Sequence, residues 1–117
     1  GAHNEDSAYV LDEYLNKKSL GKWNLIIGML RNRDVKGFVN IFKNNINKVY
    51  AIPIPDIGTS YSSDQIINKL EKLGLQVLPA KNLENALQIT DKDLPLLITG
   101  SLYLAGYTLK FNKTKIN

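Results

Sequence analysis

The sequence predicts an α/β domain in which a mostly parallel sheet of about four or more strands is flanked by helices on both faces. Short apolar runs with the length of buried strands alternate with amphipathic segments of helical spacing, and Gly, Pro, Ser, Asn or Asp separates them. Continuous apolar strands are typical of parallel sheets that are covered on both faces. Because crossovers between parallel strands are right-handed, this order of elements predicts a Rossmann-like, doubly wound fold.

The composition agrees with one folded domain. The chain has 117 residues, of which 44% are hydrophobic and 22% are charged, so it can form a packed core. It contains no cysteine, which excludes disulfides, thiolate nucleophiles and cysteine-ligated zinc. Its apolar runs are far shorter than the roughly 20 residues that cross a bilayer. We therefore expect a soluble, cytoplasmic protein with no membrane partner.

The first half of the chain contains two predicted helices and two predicted strands. The first helix has Asn4 as its N-cap and ends near Lys18. Its apolar stripe consists of Ala8, Leu11, Tyr14 and Leu15. A buried strand follows over 23–29, and Asp34 then caps the second helix. The inward face of that helix consists of Val35, Phe38, Val39 and Phe42. The second strand spans 49–54.

A capping box marks the start of the third helix. Ser62 is followed three residues later by Gln65, the spacing at which the two side chains cap each other's backbone N–H groups. The apolar side of this helix consists of Ile66, Ile67, Leu70 and Leu73. Gly74 stands at the position where helices commonly stop. The third strand spans 75–78.

The last part of the chain predicts two further helices around a fourth strand. Asn82 caps a short helix that carries Leu83, Ala86, Leu87 and Ile89. The fourth strand spans 94–99. Ser101 is then predicted to cap a final helix that carries Leu102, Leu104, Ala105 and Leu109.

The domain boundaries follow from this order of elements. We interpret residues 1–117 as a single domain whose end, 110–117, is a basic tail. A unit of this type normally begins with a strand, whereas this chain begins with a turn and a helix. We therefore expect that the first strand of the domain is missing and that the chain is part of a longer protein.

Three segments are predicted to lie at the carboxyl ends of the strands, where ligands of open α/β sheets bind. They are 1–4, 28–34 and 99–103. The second contains both arginines of the chain, Arg31 and Arg33, and arginine suits bidentate phosphate contacts. An equally good alternative is a solvated loop in which an arginine pairs with Asp34. The third contains Gly100 and Ser101, which a simple strand–helix turn with a serine cap also explains.

Several motifs of catalytic domains are missing. The chain has no G-x-x-x-x-G-K-[ST] phosphate loop, no G-x-G-x-x-G and no G-x-S-x-G. Its single histidine and scattered acids form no recognisable metal-ligand set. The net charge of +4 comes from lysines spread along the chain, which disfavours a nucleic-acid footprint. The sequence therefore predicts a binding domain or one half of an active site.

Three motifs resemble one enzyme family. They are Gly1-Ala2-His3-Asn4, the segment 28–34 (GMLRNRD) and the segment 97–106 (LITGSLYLAG). In this order they resemble the C-terminal domain of folylpolyglutamate synthase/dihydrofolate synthase, a Mur-type family of ATP-dependent amide ligases. The last motif is the most specific of the three, and the resemblance covers nearly the whole chain.

The resemblance implies a reaction shared with a larger enzyme. In this family, ATP phosphorylates a carboxylate of folate or dihydropteroate, and the amine of glutamate attacks the resulting acyl phosphate. ATP and Mg are bound mainly by an N-terminal ATPase domain of the same polypeptide, which the chain here lacks. The C-terminal domain closes over the nucleotide and glutamate. The chain on its own is therefore expected to be inactive, and it contains no catalytic or metal-binding residue.

The resemblance also implies a set of nucleotide-binding residues. These are His3, Asn4, Arg33, Ser101 and Tyr103. Arg33 stands where the family usually has lysine, so the positive charge is kept and its geometry changes. The family's aspartate, which would hold the ribose, would come directly before residue 1. We therefore expect low nucleotide affinity for this chain alone.

Two other functions remain open from the sequence. One is a stand-alone α/β binding module that recognises a phosphorylated ligand or an acidic partner through Arg31, Arg33 and the helix N-termini. The other, less favoured, is a basic RNA-binding domain. Strong loss of RNA binding with added salt would indicate the latter.

Overall fold

A six-stranded sheet with helices on both faces organises the protein. The computed structural model describes residues 4–18, 21–55, 57–100, 104–108 and 112–114, with side chains over 6–18, 21–55 and 57–100. The described helices are α1 (Asn4–Lys18), α2 (Val35–Phe42), α3 (Ser63–Leu70) and α4 (Leu83–Ile89). The strands are β1 (Trp23–Gly28), β2 (Ile46–Ala51), β3 (Gln76–Pro79), β4 (Leu96–Gly100), β5 (Leu104–Thr108) and β6 (Asn112–Thr114). Short 3₁₀ turns follow α2 (Lys43–Asn45) and α3 (Glu71–Leu73).

The strand order confirms the predicted fold class. The sheet has the order β3-β2-β1-β4-β5-β6. The first four strands in this order are parallel, whereas β5 and β6 are antiparallel to their neighbours. The chain leaves β1 toward β2 and β3, then returns through α4 to the other side of β1. This reversal makes the sheet doubly wound, with its switch point between β1 and β4.

The core consists of two layers, one on each face of the sheet. The larger layer packs α1, α2 and α3 against one face and includes the fully buried Trp23, Leu25 and Phe42. The smaller layer packs α4 against the other face, where Tyr50 and Ile98 are buried. The apolar positions predicted for the inner faces of α1 and α2 are buried, apart from Tyr14, which is partly buried.

Local signals at the helix ends have the predicted effects. The Asp34 side chain accepts from the Gly37 backbone N–H at 3.0 Å and caps α2. Ser62 and Gln65 form the reciprocal capping box of α3. Gly74 has φ +80°, a left-handed conformation that favours glycine, where α3 and its 3₁₀ turn end. The predicted N-cap Asn4 is one residue off, because it is already the first residue of α1.

Several strand boundaries differ from the predicted ones. The second strand begins at Ile46 and ends at Ala51, three residues earlier at each end than predicted. This strand pairs with β1 from Trp23↔Ile46 onward, so it begins before the predicted start at residue 49. The prolines beyond Ala51 lack the N–H needed to continue it. The third and fourth strands are each displaced toward the C-terminus by one or two residues. Ile89, predicted as part of the apolar set of α4, is 47% exposed.

The predicted final helix is wrong. The segment Leu104–Thr108 is strand β5, which pairs with β4, and Asn112–Thr114 within the predicted basic tail is strand β6. Ser101, Leu102 and Leu109, assigned to that helix, lie outside the described residues. Pairing with β4 explains the difference, because the backbone of β5 hydrogen-bonds to a neighbouring strand instead of to itself.

A buried amide network joins three segments at the amino ends of the strands. Asn24 is fully buried, and its Oδ1 accepts a hydrogen bond from Nδ2 of Asn47 at 3.1 Å. Its own Nδ2 donates to the Asp91 carbonyl at 3.4 Å. These bonds satisfy a polar group that burial would otherwise penalise. The network lies at the edge opposite to the candidate site.

Candidate ligand-binding edge of the sheet

The switch point places two glycines side by side at the carboxyl ends of the central strands. Gly28 ends β1, Gly100 ends β4, and the two residues are register partners. A side-chain carbon added at Gly100 would overlap the carbonyl oxygen of Gly28. Glycine therefore allows these two strand ends to approach each other closely. In open α/β sheets, the crevice outside such a switch point is where ligands bind.

The loop after β1 turns directly into α2. The Arg33 backbone N–H donates to the Leu30 carbonyl at 3.1 Å, which closes a turn. Asp34 then uses its side chain to cap α2. The carboxylate of Asp34 is therefore engaged with the helix backbone. In the segment 29–34, which we call the arginine loop, four consecutive residues are exposed, namely Arg31, Asn32, Arg33 and the capping Asp34.

The loop after β2 is joined to the arginine loop along its length. Leu30 and Ser60 form an isolated antiparallel bridge. The Arg31 N–H donates to the Thr59 carbonyl at 2.8 Å, and the Tyr61 N–H donates to the Met29 carbonyl at 2.9 Å. The two loops therefore behave as a small two-stranded ribbon beyond the edge of the sheet.

The two arginines have different environments. The Arg31 guanidinium donates through Nη2 to the Gly58 carbonyl at 3.0 Å, so it ties the two loops together. The Arg33 side chain is exposed, and no described residue binds its guanidinium. Neither arginine pairs with Asp34 among the described residues, in contrast to the alternative considered from the sequence. Of the two arginines, Arg33 is thus the one whose guanidinium has no partner among the described residues.

Tyr61 is a residue of this edge that the sequence analysis did not identify. Its side chain is 8% exposed and belongs to the larger core layer. Its phenol OH donates to the Arg33 carbonyl at 2.9 Å. A tyrosine directly before a capping box is visible in the sequence. Nothing local indicates a partner 28 residues earlier.

The other predicted nucleotide-binding residues are described only in part or not at all. His3, Ser101 and Tyr103 lie outside the described residues, although Ser101 directly follows Gly100 in the sequence. Asn4 is the first residue of α1. Because α1 leads into the amino end of β1 through a short connection, its own N-terminus lies toward the carboxyl edge of the sheet.

The described residues also bear on metal and membrane binding. Within the ranges given above, no three His, Asp or Glu side chains are grouped so that they could hold a metal ion. None of the described helices has the length and apolar character needed to span a bilayer.

The fold defines the chain as a doubly wound α/β domain, and the β1–β4 switch point is its candidate ligand-binding edge. A sequence-family model described as the C-terminal domain of dihydrofolate synthetase matches residues 1–111. The chain belongs to that family, which confirms the resemblance derived from its motifs. A search of curated protein sequences finds no match.

Solved structures of folate ligases share the fold. The chain matches Helicobacter pylori folylpolyglutamate synthetase with a TM-score of 0.67 and 23% identity over 86% of its residues. It matches the bifunctional folylpolyglutamate synthase/dihydrofolate synthase of Yersinia pestis, complexed with AMPPNP and Mn, with a TM-score of 0.67 and 22% identity over 86% of its residues. It matches Mycobacterium tuberculosis folylpolyglutamate synthase complexed with ADP with a TM-score of 0.65 and 20% identity over 76% of its residues. The chain spans 24%, 24% and 20% of these proteins, respectively.

Proposed function

We propose that this chain is the C-terminal domain of an ATP-dependent ligase that adds glutamate to folate or to dihydropteroate. The observation that carries the proposal is the family match over residues 1–111. The shared fold of ligases solved with ADP or with AMPPNP and Mn supports it. A cytoplasmic location is part of the proposal, because ATP is the proposed co-substrate.

The proposed reaction activates a carboxylate before an amide bond forms. A carboxylate is a poor electrophile, so phosphoryl transfer from ATP converts it into an acyl phosphate. The glutamate amine then attacks the acyl carbon, the amide bond forms and inorganic phosphate leaves. In this proposal, the chain helps to close the nucleotide and glutamate site, which aligns the reactants and excludes water from the acyl phosphate.

The proposal divides the active site between two domains. An N-terminal ATPase domain of the same polypeptide would carry the phosphate loop and the magnesium ligands, since the sequence here has no phosphate loop. Magnesium would neutralise phosphate charge during phosphoryl transfer. The isolated domain is accordingly proposed to be inactive.

We propose His3, Asn4, Arg33, Ser101 and Tyr103 as the nucleotide-binding residues of this domain. The support for Arg33 is its exposed guanidinium, which has no partner among the described residues, on a loop that is hydrogen-bonded to the loop after β2. Ser101 is supported by the sequence, in which it directly follows Gly100, the residue that ends β4 at the switch point. The alternative of a stand-alone module that uses both arginines is weaker, because Arg31 is engaged with the Gly58 carbonyl.

Glutamate ligation by the full-length gene product tests this proposal. We expect ATP-dependent transfer of labelled glutamate to a folate acceptor by the full-length protein and none by residues 1–117 alone. Turnover by the isolated chain at ordinary ligase rates would refute the division into domains. Absence of ligation by an intact, folded full-length protein, with either folate or dihydropteroate, would refute the function.

A variant of Arg33 tests the nucleotide site within the same enzyme. Arg33→Ala should raise the Michaelis constant (KM) for ATP about tenfold, because it removes a charge-assisted hydrogen bond. Arg33→Lys, which restores the residue usual in the family, should recover most of the affinity. Lys72→Ala is the matched control, because Lys72 is exposed and precedes β3 at the opposite edge of the sheet. An unchanged KM in Arg33→Ala would remove Arg33 from the site.

A further inference from the structure

Tyr61 holds the arginine loop at two points that are four residues apart. Its backbone N–H donates to the Met29 carbonyl at 2.9 Å, where the chain leaves β1. Its phenol OH donates to the Arg33 carbonyl at 2.9 Å, directly before the N-cap of α2. One residue therefore bonds to both ends of the loop. The conformation between these ends is limited by both contacts.

The surroundings of Tyr61 keep this residue in place. Tyr61 is 8% exposed, and Nζ of Lys69 from α3 lies 5.5 Å from the centroid of its ring. Its carbonyl accepts a hydrogen bond from Oγ of Ser60 at 2.8 Å. The same Oγ accepts from the Ile54 N–H at 2.8 Å. The tyrosine ring is thus packed within the core, and this packing restricts the orientation of its hydroxyl.

The position of the Arg33 backbone determines what its side chain can reach. Arginine has several rotatable bonds, so a guanidinium meets a phosphate productively only when its Cα is held in place and the remaining torsions can be restricted. The Arg33 guanidinium has no described protein partner that would orient it. Among the described contacts, the hydrogen bond from the Tyr61 hydroxyl to the Arg33 carbonyl is therefore the side-chain bond that restricts the position of Arg33.

We propose that Tyr61 is a positioning residue for nucleotide binding: its hydroxyl holds the Arg33 carbonyl so that the guanidinium is presented to the phosphates of ATP. This inference rests on the proposed ligase function and adds to it a residue outside the three motifs of the family resemblance. Tyr61 acts through Arg33 and does not itself contact the nucleotide. Its effect should consequently disappear when the guanidinium is absent.

The test is a double-mutant cycle in the full-length enzyme, with ATP as the varied substrate. Tyr61→Phe removes only the hydroxyl and keeps the packed ring. We expect it to raise the KM for ATP about three- to tenfold, the range of one hydrogen bond, with kcat within about twofold of wild type. In the Arg33→Ala background, Tyr61→Phe should cause no further change. Tyr50→Phe, in the core layer on the other face of the sheet, is the matched control and should leave KM unchanged.

The outcomes separate this proposal from the ligase function. An active wild type in which Tyr61→Phe leaves the KM for ATP unchanged overturns the positioning role alone. The positioning role is also overturned if the rise in the KM for ATP in the double variant equals the product of the rises in the two single variants. Tyr61 would then act independently of Arg33. A wild-type enzyme without ATP-dependent ligation overturns the function and the positioning role together. The melting temperature of each variant is measured as well. It must lie well above the assay temperature, so that the KM values compared are those of folded enzymes.

Discussion

Replacement of Gly100 by alanine tests the close approach of the two central strands. In the structure, the added methyl group would overlap the Gly28 carbonyl oxygen and lie 2.9 Å from the Gly28 carbonyl carbon. Both neighbours are backbone atoms of a buried parallel strand, so no side chain can rotate away to relieve the overlap. The strands must move apart instead, which weakens the pairing of β1 with β4.

The expected loss of stability follows from the kind of atoms that must move. Overpacking of a well-packed interior costs about 1–3 kcal/mol, and the involvement of backbone atoms favours the upper part of that range. With an unfolding entropy of about 2.1 cal/mol/K per residue, a domain of this length loses about 4 °C of melting temperature (Tm) per kcal/mol. We therefore expect Gly100→Ala to lower Tm by about 8–12 °C.

Thermal and urea denaturation followed by circular dichroism provide the measurement. Gly58→Ala is the matched control, because an added methyl group at Gly58 meets no atom of the described residues within 4 Å. We expect that variant to melt within about 4 °C of wild type, since its main effect is to reduce the entropy of the unfolded chain. If Gly100→Ala melted within about 2 °C of wild type, the close approach at the switch point would be refuted.

Three further predictions concern single contacts. Asp34→Ala should lower the free energy of unfolding by about 1 kcal/mol through loss of the α2 cap, whereas Asp34→Asn should retain most of it in urea denaturation; equal losses in both variants would contradict the capping role. Asn47→Ala should cost about 1 kcal/mol, because it removes the donor to the buried Asn24 amide oxygen; an unchanged urea midpoint would show that this bond contributes nothing. Arg31→Ala should accelerate hydrogen exchange in the loop after β2, whereas Arg33→Ala should not; the reverse result would contradict the different environments of the two guanidinium groups.

Local signals in the sequence predicted most of the parallel part of the fold. Three helix starts are marked by capping contacts that span three residues, so both partners of each contact lie close together in the sequence. The capping residues are Asp34, Ser62 with Gln65, and Asn82. Gly74 marks a helix end because glycine readily adopts the left-handed backbone conformation found there. Apolar spacing likewise separates buried from exposed helix faces before any tertiary contact is known.

The end of the chain shows where local signals are insufficient. Residues 104–108 (LAGYT) have apolar positions that fit either a helix face or a strand, and short apolar runs do not distinguish the two. Their strand conformation depends on hydrogen bonds to β4 and β6. Strand pairing is a property of two segments, so a single segment does not reveal it.

The sequence by itself predicted the family and the doubly wound class, which are both confirmed, and the edge of the sheet at which we propose that a ligand binds. Only the tertiary structure distinguished the two arginines, because the partner of Arg31 lies 27 residues away on another loop. The same holds for Tyr61 and the Arg33 carbonyl, which folding brings to 2.9 Å. The physical reason is that residue type and spacing encode contacts along one element. Contacts between loops depend on the packing of the sheet that carries them.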